Sequence, residues 1–456
     1  MHDVIIVGGG LAGLSAAWEC RDQDFLLLES DSRFGGRIQS EQRGDYWLNL
    51  GGHVFSGPGS ETARIADEVG VEIRAIDGHL AGLAMNGALL TSGAVELYPF
   101  RIPMSFKDRL QLFKSGIKVR AAVLYYSRLA KRRAGEGYWE LQDRIYNYKN
   151  DRTFEDFVGK TSGDAMAMFG ATVTRSAGRV NEVAAGTGIG YFKIVWDRSP
   201  SLGNSIWGGA SVLPETIAAR LGERAKLNSA VKEVVVHDDF VEVTYTDETG
   251  EHTVKSRHVV MATLASVTHQ LLKNADSELM DALGQIKYGP YIAGAFLTNE
   301  SKAVWDNSYG IASPKRSFTI FTNQTSVVRS AESHRATGSS LFVFTATDWA
   351  YKLLDQSEDV ILETYYKDLN EIFPGFSETV VEHKIRKWHQ GQTFNFPGRA
   401  KLQPIFTRDH GRVHLAGDFL GTMYTETAIT TGTLAGVDVN TKLSQEKSLS
   451  QFKEME

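Results

Sequence analysis

The 456-residue chain holds one cysteine, Cys20. A single thiol closes no internal disulfide and leaves no cysteine-rich zinc site. Long apolar runs are missing too: uncharged stretches such as Val259–Val267 fall well short of the ~18 residues that cross a membrane. Positive charge is not in excess. The chain has 49 Lys and Arg against 55 Asp and Glu, a net charge of −6, so as a whole it exerts no pull on nucleic acid. No internal repeat or low-complexity linker interrupts it. The 12 histidines are scattered without metal-ligand spacing, and no Ser-His-Asp set stands out. The strand at Asp3–Val7 leaves no room for a leader, so the expectation is a cytoplasmic protein. With 42% hydrophobic and 23% charged residues the composition is globular, and the length suits two or three domains.

Glycine, by contrast, is plentiful at 44 residues. Val4-Ile5-Ile6-Val7 is a continuous apolar run, as in a strand buried on both faces. Leu11 to Arg21 carries helix formers, and Phe25-Leu26-Leu27-Leu28 reads as a second buried strand. Between the first strand and the helix, Gly8-Gly9-Gly10-Leu11-Ala12-Gly13 fits G-x-G-x-x-G, in the strand–turn–helix context that gives the motif meaning. Gly8 permits the tight turn, Gly10 lets backbone approach a pyrophosphate, and Gly13 lets helix and strand pack closely. The helix N-terminus offers unpaired N–H groups to the phosphates. Glu29, at the end of the second strand, is placed to accept hydrogen bonds from ribose hydroxyls.

Arg33-Phe34-Gly35-Gly36-Arg37 follows the acid, and Leu50-Gly51-Gly52-His53 comes soon after. With these motifs the run from Val4 to Arg37 resembles the opening of the flavin-containing amine oxidase superfamily, which includes monoamine oxidases, protoporphyrinogen oxidases and phytoene desaturases. The resemblance implies FAD as cofactor. It implies that Arg33 and Arg37 neutralise phosphate, and that Gly35, Gly36, Gly51 and Gly52 let backbone meet the dinucleotide. Leu227-Asn228-Ser229-Ala230-Val231 looks like the family strand that meets the adenine, with Val231 as the contact. Leu415-Ala416-Gly417-Asp418 looks like the C-terminal flavin motif, with Asp418 near the ribityl chain and Thr427 and Ala428 near the pyrimidine edge. The implied fold is α/β: a Rossmann-like FAD-binding domain with a discontinuous α+β substrate domain. Residues 1–85, 200–285 and 386–456 would build the first, and 86–199 and 286–385 the second.

The chain also departs from its relatives. Monoamine oxidases tether FAD through a cysteine near the C-terminus, and this chain has none there, so FAD is expected to be non-covalent. Many amine oxidases carry a lysine four positions after a glycine on a substrate-domain strand. The counterpart run Gly289-Pro290-Tyr291-Ile292-Ala293 places Ala293 there, which favours a dehydrogenase or desaturase over a fast oxygen-using oxidase. Aspartate after Gly417 resembles the desaturase form of that motif. Two aromatic residues flank the substrate in amine oxidases. By resemblance Trp388 would pack near the flavin, Phe396 or Phe394 would form one wall and Tyr424 the other, the alternative being that these are core aromatics. His389 reads as a site residue or a structural histidine.

Residues 101–133 hold ten basic residues and one acid, Asp108. Phe106, Leu110, Phe113, Ile117 and Leu124 recur there at helical spacing. The segment reads as a solvated amphipathic helix, a membrane-surface patch, or a docking face for an acidic partner. The expected function is FAD-dependent removal of a hydride from a C–H next to nitrogen of a small-molecule substrate, giving an imine, with electrons passed to oxygen or another acceptor. The alternatives are a C–C desaturase of an apolar or cyclic metabolite, and a non-redox flavoprotein such as an isomerase or binding module.

Overall fold

The computed structural model describes all residues except 78–81, 160, 162, 197–200, 303, 307, 330–336, 423 and 456, and, for side chains, 77, 201, 202, 329 and 450–455. The strand His2–Val7 lies inside an eight-stranded sheet. It pairs in parallel with Phe25–Leu28 on one side (Val4 opposite Phe25, Val7 opposite Leu28) and with the end of Gly250–Met261 on the other (Val7 opposite Met261). Alternate residues of these strands feed opposite faces. Val4, Ile6, Leu27 and Val260 pack under the helix Leu11–Glu19, while Ile5, Val7, Leu26, Val259 and Met261 pack on the other side. Burial on both faces is why these strands are continuous apolar runs.

Gly250–Met261 joins two kinds of sheet. Its first half alternates in exposure and pairs antiparallel with Val241–Asp247, and its apolar end pairs parallel with His2–Val7 and Val413–Leu415. Sequence suggests two strands here, at His252–Val254 and Val259–Met261. The charged residues between them sit on a ribbon with one wet face, so the chain stays extended throughout.

A second sheet has seven strands in the order Val380–Thr393, Tyr288–Thr298, Ser340–Ala346, Ile320–Asn323, Gly310–Ala312, Gly82–Met85, Ala88–Leu90. Tyr288–Thr298 is buried along nearly its whole length, with antiparallel neighbours on both sides. The sheet takes in residues on the far side of two expected boundaries. Gly82–Met85 pairs with Gly310–Ala312, and residues 386–393 continue the single strand that begins at Val380. Helices between residues 98 and 196 form a separate layer, packed around Phe154, Phe169 and Phe192.

The helix Phe106–Leu129, capped by Ser105 whose hydroxyl accepts from the Asp108 N–H, has two apolar faces. Leu112, Val119, Ala122, Val123 and Tyr126 pack inward. The residues picked out by helical spacing, Phe106, Leu110, Phe113, Ile117 and Leu124, lie on the opposite side and are 51–79% exposed. The last helix runs from Tyr424 to Met455, well past Gly436, where sequence places its end. Among the described residues no helix is long and apolar enough to cross a membrane.

Candidate active site

One cavity of about 1260 Å³ runs from the glycine turn of the first sheet to the helical layer. Pockets for a single small ligand hold ~300–1,000 Å³, so this one has room for a dinucleotide and a substrate together.

At the nucleotide end, Gly8, Gly10, Glu29, Arg33, Gly36, Arg37, Gly51, Gly52, Val231, Gly417, Asp418 and Ala428 all line the cavity. Gly10 is the N-cap of the helix Leu11–Glu19, which has no side-chain cap and no acid in its first turn. A Cβ on Gly10 would meet no protein atom within 4 Å. Open space and unpaired N–H groups therefore coincide where a pyrophosphate would lie. Gly13 lies outside the lining and acts by packing: a Cβ there would fall 1.8 Å from the Gly8 carbonyl oxygen. Glu29 is buried, and its carboxylate accepts from the backbone N–H groups of Gly9 (2.6 Å) and Asp31 (2.8 Å). These two donors orient the carboxylate at the cavity wall.

The two arginines line the cavity and are also engaged by the protein itself. Arg33 donates to the backbone carbonyls of Phe34, Gly36 and Ile38, and so braces its own turn. Arg37 forms a bidentate pair with Asp418 at 2.7 and 3.0 Å and also donates to the Gly391 carbonyl. Both guanidinium groups are thus engaged by protein acceptors, and their structural work is to hold the glycine loops at the cavity wall. Thr427 is fully buried and outside the lining, with its hydroxyl accepting from that of Tyr138.

At the other end the wall is aromatic. Trp388 and Tyr424 line it, joined by Tyr126, Tyr191, Tyr291, Tyr309, Phe342 and Phe344. The Trp388 indole N–H donates to the Leu50 carbonyl at 2.8 Å, which locks the second sheet onto the Gly51-Gly52 pair. The Tyr191 hydroxyl donates to that of Tyr424 at 2.6 Å, and the Gln392 amide donates to Tyr191 and to the Arg175 carbonyl, each at 3.1 Å. Burial, with the neighbouring phenol, pushes the Tyr191 hydroxyl well above the ordinary tyrosine range, and burial carries Tyr424 up to about 12. The His53 Nδ1–H donates to the Gly51 carbonyl (2.9 Å), and burial holds its pKa below the usual value. His389 lines the cavity.

Phe396 does not line this space. The strand ends at Thr393, and Phe396 packs between the first-sheet core and the helical layer with Lys287 over its ring, while Phe394 is buried in the helical layer. The second wall comes instead from Tyr191 and Tyr291. Ala293 lies on the same strand face as Tyr291, packed under Tyr291 and Phe342 and outside the lining. Sequence reasoning passed over Arg175, Tyr191, Tyr291 and Phe342, which come from segments with no local motif. Only Tyr291 carried a signal, two residues from Ala293 on a strand and so on the same face.

A family model described as flavin containing amine oxidoreductase matches residues 11–440. The chain belongs to the flavin-containing amine oxidoreductases. Among curated members of the family, the flavin-containing amine oxidase of Danio rerio is 25% identical over 280 residues, 57% of this chain and 50% of that protein. The chloroplastic protoporphyrinogen oxidase 1 of Arabidopsis thaliana is 23% identical over 323 residues, 64% of this chain and 58% of that one. The match to the Danio enzyme thus spans half of that relative's length. Among solved members, putrescine oxidase bound to putrescine superposes with a TM-score of 0.77 at 16% identity, covering 96% of this chain and 99% of that one. Cyclohexylamine oxidase from Brevibacterium oxydans superposes with a TM-score of 0.76 at 16% identity, covering 97% and 99%. These likenesses show that the amine oxidase fold extends over nearly the whole chain. In this flavin-containing amine oxidoreductase Cys20 is buried on the first helix, where desolvation pushes its thiol up to about 12, and it does not line the cavity. No cysteine is therefore at hand to tether a flavin.

Proposed function

We propose that the protein oxidises an amine at the carbon next to nitrogen, with FAD held non-covalently. When bound, FAD would accept the hydride and later deliver its electrons to oxygen or another acceptor. Glu29 would hold the ribose, and Gly10 with the first helix N-terminus would hold the pyrophosphate. Asp418, fixed by Arg37, would sit by the chain linking phosphate to ring. Trp388, Tyr424 and Tyr191 would confine the amine and exclude water. The buried tyrosines stay neutral at physiological pH, so they offer hydroxyls and no anion. The observation that carries the reading is a single cavity joining an uncapped glycine turn to a wall of tyrosines and a tryptophan. The test is to mix the yellow holoenzyme anaerobically with a panel of amines, polyenes and cyclic intermediates. Bleaching by an amine with an aldehyde or ketone as product supports it. Bleaching only by a substrate that gains a C=C bond favours the desaturase reading, and bleaching by none refutes both.

We infer also that the exposed face of the helix Phe106–Leu129 rests on an anionic lipid surface. Its outer apolar stripe is flanked by Lys107 and Lys114 on one side and Arg109 and Arg120 on the other, at 3.6 residues per turn. Leu97 and Phe100, on the turn before it, are also exposed. An apolar stripe between cationic rows matches the acyl and headgroup layers of such a surface. Tyr126 and Ala130, at the end of the same helix, line the cavity, so the docked face adjoins the substrate end. The protein should co-sediment with vesicles containing an anionic lipid, less so in high salt, and Phe113→Glu with Ile117→Glu should abolish this. Absence of vesicle binding at low salt, or binding only to an acidic protein, would overturn the inference.

A further inference from the structure

Among the described residues, the substrate end of the cavity contains cations and no acid. Among the described residues, the acids that line the cavity are Glu29, Asp31 and Asp418, all at the nucleotide end, and Asp418 is already paired with Arg37. The charged groups of the aromatic end are Arg175 and Lys193. Arg175 sits on the turn Thr174–Ser176, where its carbonyl accepts from the Gln392 amide. Its guanidinium is close enough to Tyr191 to interact with it electrostatically, and both residues line the cavity. Its guanidinium makes no hydrogen bond and no ion pair among the described residues, and its Nε is shut off from solvent without a partner. Burial holds its pKa down, to about 10, which still leaves it charged at neutral pH.

An unpaired guanidinium inside a protein is unfavourable, because desolvation is not offset by an opposite charge. The fold nevertheless provides three elements to surround one here: the turn that bears it, the helix of Tyr191 and the strand of Gln392. None of the described residues supplies the anion, and a bound ligand can. A cationic amine alone would be repelled by this site. An amine that also carries a carboxylate would not, because its negative end can take the fork of N–H donors that a guanidinium presents.

We propose that Arg175 is the anchor for a carboxylate on the amine substrate, so that the preferred substrates are amines bearing a carboxylate. This rests on the amine-oxidation reading above. The carboxylate lies at Arg175, beside the Tyr191–Tyr424 hydroxyl pair, and the amine end extends toward Trp388. The bound molecule then carries the counter-charge that none of the described residues supplies.

The test separates binding from turnover. Holoenzyme is titrated with 3-phenylpropionate, which has a carboxylate and no amine, and binding is read from the flavin absorbance and by calorimetry. Wild type should bind it, Arg175→Met should lose tenfold or more in affinity, and Arg175→Lys should recover part of it. Flavin content should be equal in all three, and the melting temperature of Arg175→Met should be unchanged or higher, since an uncompensated charge has been removed. In turnover, Arg175→Met should raise KM for phenylalanine and lower that for phenethylamine, so that the preference for phenylalanine over phenethylamine in kcat/KM falls tenfold or more. Equal 3-phenylpropionate affinity in wild type and Arg175→Met, or no binding to either, would overturn the proposal. So would a lowered melting temperature in both variants, which would make Arg175 a structural residue. If Arg175-dependent binding holds and no amine bleaches the flavin, the anion site stands and the amine-oxidation reading fails.

Discussion

At the nucleotide end of the cavity much of the wall is backbone, supplied by Gly8, Gly10, Gly36, Gly51 and Gly52 of the first 52 residues, with Val231, Gly417 and Asp418 added from later segments. At the amine end the wall is side chain: Tyr126, Arg175, Tyr191, Tyr291, Phe342, Trp388 and Tyr424 arrive from segments scattered over some three hundred residues. A backbone surface needs particular residue types at fixed spacing, because only glycine permits the approach. A side-chain surface needs only apolar bulk at the right place in space, and many sequences supply that. The first end is thus legible as a motif and intolerant of change, and the second is neither.

The comparison breaks most visibly at Gly13. Any Cβ there collides with backbone at 1.8 Å, which no rotamer relieves. Gly13→Ala should lose soluble, flavin-loaded protein, as measured by yield and flavin absorbance. A yellow Gly13→Ala with wild-type melting temperature would mean that the helix has freedom the close packing denies.

Asp418→Ala should come next. It leaves Arg37 buried without its bidentate partner, a loss of about 3 kcal/mol for breaking such a pair. Thermal melts should show the drop, and Asp418→Asn should restore part of it. A smaller effect follows at Glu29→Gln. One of the two backbone donors keeps an acceptor, while the other faces an amide NH2 and the charge toward ribose is lost, at about 1.5 kcal/mol or more, a tenfold weaker FAD dissociation constant. Titration of apoprotein with FAD measures it.

The smallest effect concerns pH at the amine end. Burial raises Tyr191 and Tyr424, so their neutral forms persist as pH rises through the ordinary tyrosine range. Flavin reduction should therefore climb with pH as the substrate amine loses its proton, near ~10 for an unperturbed alkylammonium group, and should not fall again below that. Tyr191→Phe should change the rate without moving the break. A descending limb that vanishes in Tyr191→Phe would show that a tyrosine ionises in the working range.

The same contrast explains what the sequence disclosed. The run from Val4 to Arg37 gave the first strands, the helix and the lining glycines, because the constraint there is local. Arg33 and Arg37 could be named as lining residues, but the partner of Arg37 could not: Asp418 is 381 positions away. Phe396 looked like a wall residue from its place after Trp388, yet the strand stops at Thr393 and the following backbone turns its ring into the core. The helix Phe106–Leu129 was legible as a helix, but which of its two apolar stripes faces the core depends on the packing of Phe154, Phe169 and Phe192 far along the chain. Arg175 gave no local signal, because its interest lies in a guanidinium that has no partner among the described residues.

The division of labour between the two ends can be read in one stopped-flow experiment. Glu29→Gln and Trp388→Ala holoenzymes are mixed anaerobically with an amine that reduces the wild type, and the rate is expressed per bound flavin. The account predicts that Glu29→Gln, with depleted flavin, reduces what it holds at the wild-type rate, while Trp388→Ala keeps its flavin and reduces it tenfold or more slowly. The reverse pattern, or equal loss of flavin and rate in both, would contradict it.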